Sequence, residues 1–129
     1  MTAADRLTVV TYNIRAAIGL GPFPPAWWER VDADRLERIR QAIEDLDPEI
    51  VALQEVPLMT VNGIVTDMTG DLARRLGMES RYAAVHHVTA NDRDTSRAIG
   101  AYTWGNAVLS RRPIVAMDTS SPRAATSAR

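Results

Sequence analysis

An amide and a carboxylate, Asn13 and Glu55, stand at the ends of two stretches that predict β-strands. Residues 7–13 are rich in β-branched and aromatic side chains, and residues 50–53 begin an apolar strand that ends at Glu55. If the two strands are parallel neighbours, their carboxyl ends meet at one sheet edge, about 5 Å apart. There the carboxylate and the amide oxygen can bind a hard cation such as Mg²⁺, and the amide NH₂ group can instead donate to a phosphate bound beside the cation. In the alternative, Glu55 caps a loop and Asn13 makes a turn.

The segment between these strands predicts the elements that would position them. Aliphatic residues recur at helical spacing over 32–48, with charged residues on the other faces: Leu36, Ile39, Ile43 and Leu46. Residues 19–28 contain two glycines and three prolines and therefore predict a loop. Strand, helix and strand form a βαβ unit. The unbroken apolar run at 50–53 is typical of a strand covered on both faces.

Shorter elements follow downstream. In chain order they are a helix over 67–76 that ends at Gly77, strands over 81–88 and 106–110, and a further strand beginning at 114–117. Residues 91–103 are polar and predict an irregular loop. Residues 118–129 lack periodicity and predict a disordered tail. The pattern predicts an α/β (α+β) fold, in a chain long enough for one domain and too short for two.

Composition excludes several classes of function. The 129 residues include 15 basic and 16 acidic side chains, so the net charge of -1 gives no support for a protein that coats nucleic acid. The absence of cysteine excludes disulfides, thiolate metal sites and a cysteine nucleophile. The N-terminal residues lack an apolar signal segment and no window predicts a membrane span, so we expect a cytoplasmic protein.

Three segments, in this order, closely resemble the N-terminal motifs of the endonuclease/exonuclease/phosphatase superfamily, the deoxyribonuclease-I-like metallophosphoesterases. They are Thr-Tyr-Asn-Ile at 11–14, Pro-Glu-Ile-Val-Ala-Leu-Gln-Glu-Val at 48–56 and Gly-Asn-Ala-Val-Leu-Ser-Arg at 105–111. The resemblance extends over nearly the whole chain, to about residue 115. It implies that residues 1–117 are the N-terminal half of the family's domain, a four-layer α/β sandwich in which two sheets pack face to face with helices outside.

The resemblance also implies roles for individual residues. Glu55 matches the family's magnesium-binding glutamate, with Mn²⁺ as an alternative metal, and Asn13 matches its active-site asparagine near metal and phosphate. Asn106 lies in the strand motif and is a candidate catalytic residue facing the cleft; alternatively, its amide stabilises the start of the strand after Gly105. Gln54 is expected to be structural or to support the metal ligands.

Family members need roughly twice this length to complete both sheets. Their catalytic histidine, Asp-x-Asn motif and final Asp-His pair have no counterpart in the expected order after Ser110. The leading hypothesis is therefore a truncated Mg²⁺-dependent phosphoesterase, weakly active or inactive, whose phosphoester substrate is not identified. Nucleic acid as a substrate has no support from charge. The alternative is a non-catalytic half-domain that binds or self-associates through its exposed sheet face.

Other polar and aromatic residues have two interpretations each. His86 and His87 are adjacent in a predicted strand, so their side chains point to opposite faces and cannot act as a pair. The tryptophans at 27–28 either form a lip that contacts substrate or anchor the loop by burial. Arg93 and Arg97 are either phosphate contacts or solvated loop residues.

Overall fold

Five strands in the described part of the chain form one mixed sheet. The computed structural model describes residues 6–21, 27–89 and 101–118. The strands are β1 (Val9–Asn13), β2 (Ile50–Val61), β3 (Ile64–Asp67), β4 (Glu79–Val88) and β5 (Tyr102–Ser110). The helices are α1 (Ala33–Leu46) and α2 (Met68–Leu76), with short 3₁₀ turns at Arg15–Ala17 and Trp27–Arg30. The α/β fold class predicted from the sequence is confirmed.

The predicted βαβ unit is present. β1 and β2 are parallel neighbours, paired from Val9 opposite Ile50 to Asn13 opposite Gln54. α1 connects them and begins after Asp32, whose side chain accepts a hydrogen bond from the Arg35 N–H at 2.7 Å. Such an N-cap satisfies one of the donors that a helix start leaves free. The carboxyl end of β1, at Asn13, therefore lies beside Gln54 in the middle of β2, which continues to Val61.

The remaining strands are antiparallel to their neighbours. The order is β1-β2-β5-β4, and β3 pairs with the second half of β2. β3 was not predicted, although the Asn-Gly pair at 62–63 is a sequence signal for a hairpin. In the structure Asn62 and Gly63 have φ of 51° and 80°. Two consecutive positive φ angles define the tight turn that Asn-Gly favours. The hairpin extends β2 well beyond the predicted run at 50–53.

The two faces of the sheet differ in burial. On one face, here called the covered face, Val51, Leu53 and Leu109 have no exposed surface, and they share a core with Ile43 of α1 and Leu72 of α2. On the other, the open face, Thr11, Ala52, Val108 and Arg81 form one row across β1, β2, β5 and β4. Ala52 is only half-buried there, and 41% of Val108 is exposed. The prediction that the 50–53 strand is covered on both faces is therefore wrong for the described residues.

Several predicted element bounds are also corrected. β5 begins at Tyr102 and not at Asn106, and β4 begins at Glu79. Residues 114–117 do not form a strand, because the Ile114 N–H donates to the Glu79 carboxylate at 2.7 Å and does not pair with a backbone carbonyl of β4. α2 confirms the predicted helix and its end at Gly77, which has φ of 66°.

Two further predictions concern residues that the structure leaves largely undescribed. Apart from Asp118, the predicted tail at 118–129 lies outside the described residues, as do residues 91–100 of the predicted loop, with Arg93 and Arg97. The domain bound at 117 stays a prediction. Within 6–21, 27–89 and 101–118, no helix is long and apolar enough to cross a membrane.

Candidate metal and phosphate site

Three amide side chains share one row on the open face. Asn13 of β1 is paired with Gln54 of β2. Asn106 of β5 lies between Ala107, which is opposite Leu53, and Gly105, which is opposite Val56. Because side chains alternate along a strand, Asn106 lies on the same face as Val108 and next to Gln54 and Glu55. The structure thus brings together the residues that the sequence analysis selected at 13, 55 and 106.

A β-bulge places Glu55. Two residues of β2, Gln54 and Glu55, are opposite the single residue Asn106 of β5, and Glu55 has a left-handed φ of 55°. Leu53 and Val56 on either side are completely buried, whereas 44% of the Glu55 side chain is exposed. A bulge reorients a side chain in this way within a continuous strand. The prediction that the strand ends at Glu55 is therefore wrong, because β2 continues to Val61.

Gly105 allows the strands to pack closely at this bulge. A Cβ atom at Gly105 would lie 2.2 Å from the Ala83 carbonyl oxygen and 2.8 Å from Cζ of Tyr82. The Tyr82 hydroxyl donates to the Val56 carbonyl at 3.1 Å and lies 2.9 Å from Oγ1 of Thr103. Burial raises the pKa of Tyr82, and the hydrogen bond with Thr103 opposes that shift. Tyr82 therefore supports the bulge from the covered face, a role that no motif around residue 82 indicates.

Asn106 is not at the start of its strand. It lies in the middle of β5, is exposed and faces the bulge. The interpretation of its amide as a group that stabilises the start of the strand is therefore wrong. Gln54 has a structural contact, because its Nε2 donates to Oγ1 of Thr11 at 3.0 Å. This hydrogen bond holds Gln54 against β1.

Asn13 makes the turn that follows β1. Its Oδ1 accepts a hydrogen bond from the Arg15 N–H at 3.1 Å, and Arg15, Ala16 and Ala17 have φ of 45°, 54° and 57°. The Ile14 N–H donates to the Gln54 carbonyl at 3.1 Å, which fixes the turn to β2. The turn interpretation is therefore confirmed. Oδ1 is engaged in the turn, and the NH₂ group, which is the donor of this side chain, can bind a phosphate oxygen.

Arg15 links this turn to the bulge. Its Nε lies 4.0 Å from Oε2 of Glu55, and its guanidinium donates to the carbonyls of Gly19, at 2.8 Å, and Gly21. Both side chains of the ion pair are partly exposed, so the pair contributes little to stability. Its importance is positional, since it places a cation beside the carboxylate. The sequence analysis did not select Arg15, although it follows directly on the Asn13 motif.

A cleft of about 410 Å³ opens beside the bulge. It is lined by Gln54, Glu55, Val85, His86, Trp104, Gly105 and Asn106. His86 is paired with Trp104, and His87 with Thr103 on the opposite face, as expected for adjacent strand residues. The described cleft therefore holds one imidazole.

The tryptophans at 27–28 anchor their segment and form no lip. Trp27 and Trp28 are 5% and 7% exposed. The ring centroid of Trp27 lies 4.8 Å from that of Trp104 and 5.6 Å from that of Tyr102. Since Tyr102 and Trp104 share a face of β5 with Asn106, this aromatic cluster covers the open face next to the cleft.

The donors at the bulge suit an open magnesium site better than a closed metal cage. Glu55 supplies one exposed carboxylate, and Asn13 and Asn106 supply neutral amides. Among the described residues, no three or more His, Cys, Asp or Glu side chains group closely enough to hold a metal ion. Mg²⁺ commonly binds one or two carboxylates and completes its octahedron with water and phosphate oxygens. The residues present therefore fit that cation.

Together the fold and this site define a mixed α/β protein in which the amide at the end of β1 lies beside a bulge with an exposed carboxylate and a second amide in β5. A model of the Endonuclease/Exonuclease/phosphatase family matches residues 10–127, and the chain belongs to that family. This confirms the resemblance found in the three sequence motifs. No curated protein matches the chain.

Two solved structures have the same fold. One is an endonuclease/exonuclease/phosphatase from Beutenbergia cavernae DSM 12333, with 24% identity, a TM-score of 0.63 and coverage of 86% of this chain. The other is an endonuclease/exonuclease/phosphatase family protein from Leptotrichia buccalis C-1013-b, with 19% identity, a TM-score of 0.54 and the same coverage. The chain spans 27% and 39% of the length of these two proteins.

Proposed function

We propose that this chain forms the metal- and phosphate-binding edge of a Mg²⁺-dependent phosphoesterase that hydrolyses a phosphodiester or phosphomonoester. The observation that carries the proposal is the open-face row of Asn13, Gln54 and Asn106 with Glu55 turned outward by the bulge beside it. Family membership supports it, since the family is generally one of metal-dependent phosphoesterases and nucleases. The net charge of -1 favours no nucleic acid over other phosphoesters.

Each residue has a distinct part in this proposal. Glu55 holds Mg²⁺, or Mn²⁺, through its exposed carboxylate. The Asn13 NH₂ group donates to a phosphate oxygen, while its Oδ1 keeps the turn in place. Asn106 donates to the substrate from the other side of the bulge. When bound, the metal supplies positive charge that offsets the charge developing on the phosphoryl oxygens.

We expect the 129-residue chain by itself to bind metal but to hydrolyse phosphoesters slowly or not at all. Hydrolysis needs a group that aligns or deprotonates the attacking water, and a group that protonates or stabilises the leaving oxygen. Glu55, the carboxylate that lines the described cleft, is assigned to the metal, and His86 lies there without a second imidazole. The described residues thus support binding more fully than catalysis.

Metal titration of the full 129-residue chain tests the proposal. Isothermal titration calorimetry with Mg²⁺ should show one site that Glu55→Gln removes. Glu29→Gln, a matched change at an exposed carboxylate in the Trp27–Arg30 turn, should leave binding unchanged. Equal binding by wild type and Glu55→Gln would contradict the metal assignment. Rapid Mg²⁺-dependent hydrolysis of bis(4-nitrophenyl) phosphate, lost in Glu55→Ala, would contradict the expectation of weak turnover.

A second candidate function is assembly through the open face. Val9 and Val108 are 55% and 41% exposed there, and Ala52 between them is only half-buried. Exposed apolar surface of this kind favours association, and a second copy of the chain would cover it. Sedimentation velocity should then show a dimer that Val108→Arg dissociates. A monomer at all concentrations, with cooperative unfolding, would contradict this candidate.

A further inference from the structure

A second pocket lies on the other side of the β1 end from the cleft. It has a volume of about 360 Å³, is open to solvent and is bordered by the turn after β1 and by α1. We call it the turn pocket and define it by its polar lining residues: Tyr12, Asn13, Arg15, Arg35 and Arg38. Asn13 is also part of the open-face row, so the end of β1 borders both sites.

Four hydrogen-bond acceptors beside the turn pocket already accept from its arginines. The carbonyls of Gly19 and Gly21 accept from Arg15, and the Ile18 carbonyl accepts from Arg35. Oδ1 of Asn13 accepts from the Arg15 backbone. What the side chains leave available to a ligand is therefore mainly donor groups, which suits an acceptor-rich anion.

Charge in the turn pocket is unbalanced. Asp32 lies 3.5 Å from the Arg35 guanidinium, and Glu55 lies 4.0 Å from that of Arg15. Each of these arginines thus has a carboxylate near it. The pocket retains the positive charge of its third guanidinium.

That third guanidinium belongs to Arg38. It lies three residues after Arg35 on the same side of α1, and it is exposed. Within 6–21, 27–89 and 101–118 its side chain forms no hydrogen bond and no ion pair, including with Asp34 one turn earlier. Since Asp32 lies beside Arg35, Arg38 is the guanidinium of this pocket whose charge no ion pair with a described carboxylate offsets.

We propose that the turn pocket binds a phosphate group that is not hydrolysed, with Arg38 as the residue that contacts it. Arg15 and Arg35 frame the pocket through their carbonyl hydrogen bonds, and the Arg38 guanidinium presents paired donors to phosphate oxygens. This assignment rests on the proposed function, and together the two sites indicate a substrate with two phosphate groups: one at the Glu55 cleft and one at the turn pocket.

Phosphate titration tests the turn pocket separately from the metal site. Isothermal titration calorimetry of the full chain with inorganic phosphate, in EDTA and at constant ionic strength, should show one site. Arg38→Ala should weaken binding by about tenfold, the effect of losing one charged hydrogen-bonding partner. Arg38→Lys should retain part of the affinity, because the charge stays but the planar fork is lost.

Matched controls distinguish a site from general charge attraction. Arg74→Ala removes the same charge from α2, where the side chain is 73% exposed, and should leave phosphate binding unchanged. Circular dichroism should show that all variants are folded. Equal phosphate affinity in Arg38→Ala and Arg74→Ala, or no binding by the wild type, would overturn the proposal.

A failure of this inference is separable from a failure of the proposed function. Glu55→Gln should remove Mg²⁺ binding and leave metal-free phosphate binding in place. Arg38→Ala should have the reverse effect. If Mg²⁺ binds at Glu55 but Arg38→Ala leaves phosphate binding unchanged, the assignment of phosphate to the turn pocket is wrong and the metal assignment of Glu55 still stands.

Discussion

The covered and open faces of the sheet use the same strands for different purposes. On the covered face, Leu53 and Leu109 are completely buried beneath α1 and α2. On the open face, the row through Val108 is half-exposed, and it leads to the amides at Asn13 and Asn106. The difference indicates that folding free energy comes mainly from one face, which leaves the other available for polar and strained features.

The bulge is where the two faces depend on each other. Glu55 faces outward at the bulge, and the chain beside it is held at Val56, whose carbonyl accepts from the partly buried Tyr82 hydroxyl. Gly105 lets the Tyr82 ring and the Ala83 carbonyl approach closely enough to do this. Substitutions at the bulge should therefore affect both stability and binding, whereas those elsewhere should affect one.

The strongest test of the comparison removes the same kind of group from each face. Leu53→Ala should lower the free energy of unfolding by about 3 kcal/mol or more, because it leaves a cavity in the core. Val108→Ala on the open face should lower it by less than about 1 kcal/mol, since little of its surface is buried. Urea unfolding measures both. Similar losses would show that the open face is covered in solution, and concentration dependence would then identify a second copy as the cover.

Gly105→Ala should have the next largest effect and should affect both properties. The new methyl group would overlap the Ala83 carbonyl, so β4 and β5 must move apart at a cost of about 2 kcal/mol. The shift displaces Asn106 and the bulge, and Mg²⁺ affinity should fall as well. Gly77→Ala is the control: its Cβ has open space but a φ of 66°, so it should cost about 1 kcal/mol and leave affinity unchanged. Unchanged Mg²⁺ affinity in Gly105→Ala would show that metal binding does not depend on the geometry of the bulge.

Local signals in the sequence predicted α1, α2 and the parallel pairing of β1 with β2. Helical spacing and the Asp32 cap are encoded within a few residues, and the structure has α1 over Ala33–Leu46. The open face was foreseen only in the half-domain hypothesis, because the apolar run at 50–53 resembles a fully buried strand. Local pattern describes which residues are apolar, and it does not show which layers are present to cover them.

The geometry of the site could not be predicted locally. The bulge at Glu55 depends on pairing β2 with β5, whose residues Gln54 and Asn106 are far apart in the sequence. Arg15 joins the site through a turn of three positive φ angles that carries no glycine. Identities at 13, 55 and 106 were available from motifs, whereas their supports at Arg15 and Tyr82 required the fold.

Glu55→Gly tests whether the open face accepts strain for function. A non-glycine residue at φ of 55° is strained, and glycine relieves that strain, so the free energy of unfolding should rise by about 0.5–1 kcal/mol while Mg²⁺ binding is lost. Asn62→Gly, at φ of 51° in the β2–β3 turn, should change the free energy of unfolding by only about 0.3 kcal/mol, because asparagine tolerates this conformation. A loss of stability in Glu55→Gly would instead assign a stabilising role to the Arg15 pair.

The smallest expected change in stability comes from an ion pair on the outer surface of α1 and α2, and it depends on pH. Glu37 lies 2.7 Å from Arg40 within α1 and 2.9 Å from Arg75 of α2. The hydrogen bond from Arg40, followed by that from Arg75, lowers the pKa of Glu37. A carboxyl group with a lowered folded-state pKa stabilises the protein above its unfolded pKa, and this contribution is lost as the pH falls through the folded value.

Wild type should therefore have a slightly higher urea midpoint than Glu37→Gln at pH 7, and the difference should shrink as the pH falls below about 4, the ordinary range of a glutamate. Because Glu37 and Arg75 are partly exposed, salt should also reduce the difference. Glu29→Gln, outside both helices, should not reproduce this pH-dependent loss. A difference that stays constant from pH 7 to pH 3 would show that Glu37 joins the helices by packing of its side chain. The charge of Glu37 would then contribute nothing to the stability of the covered face.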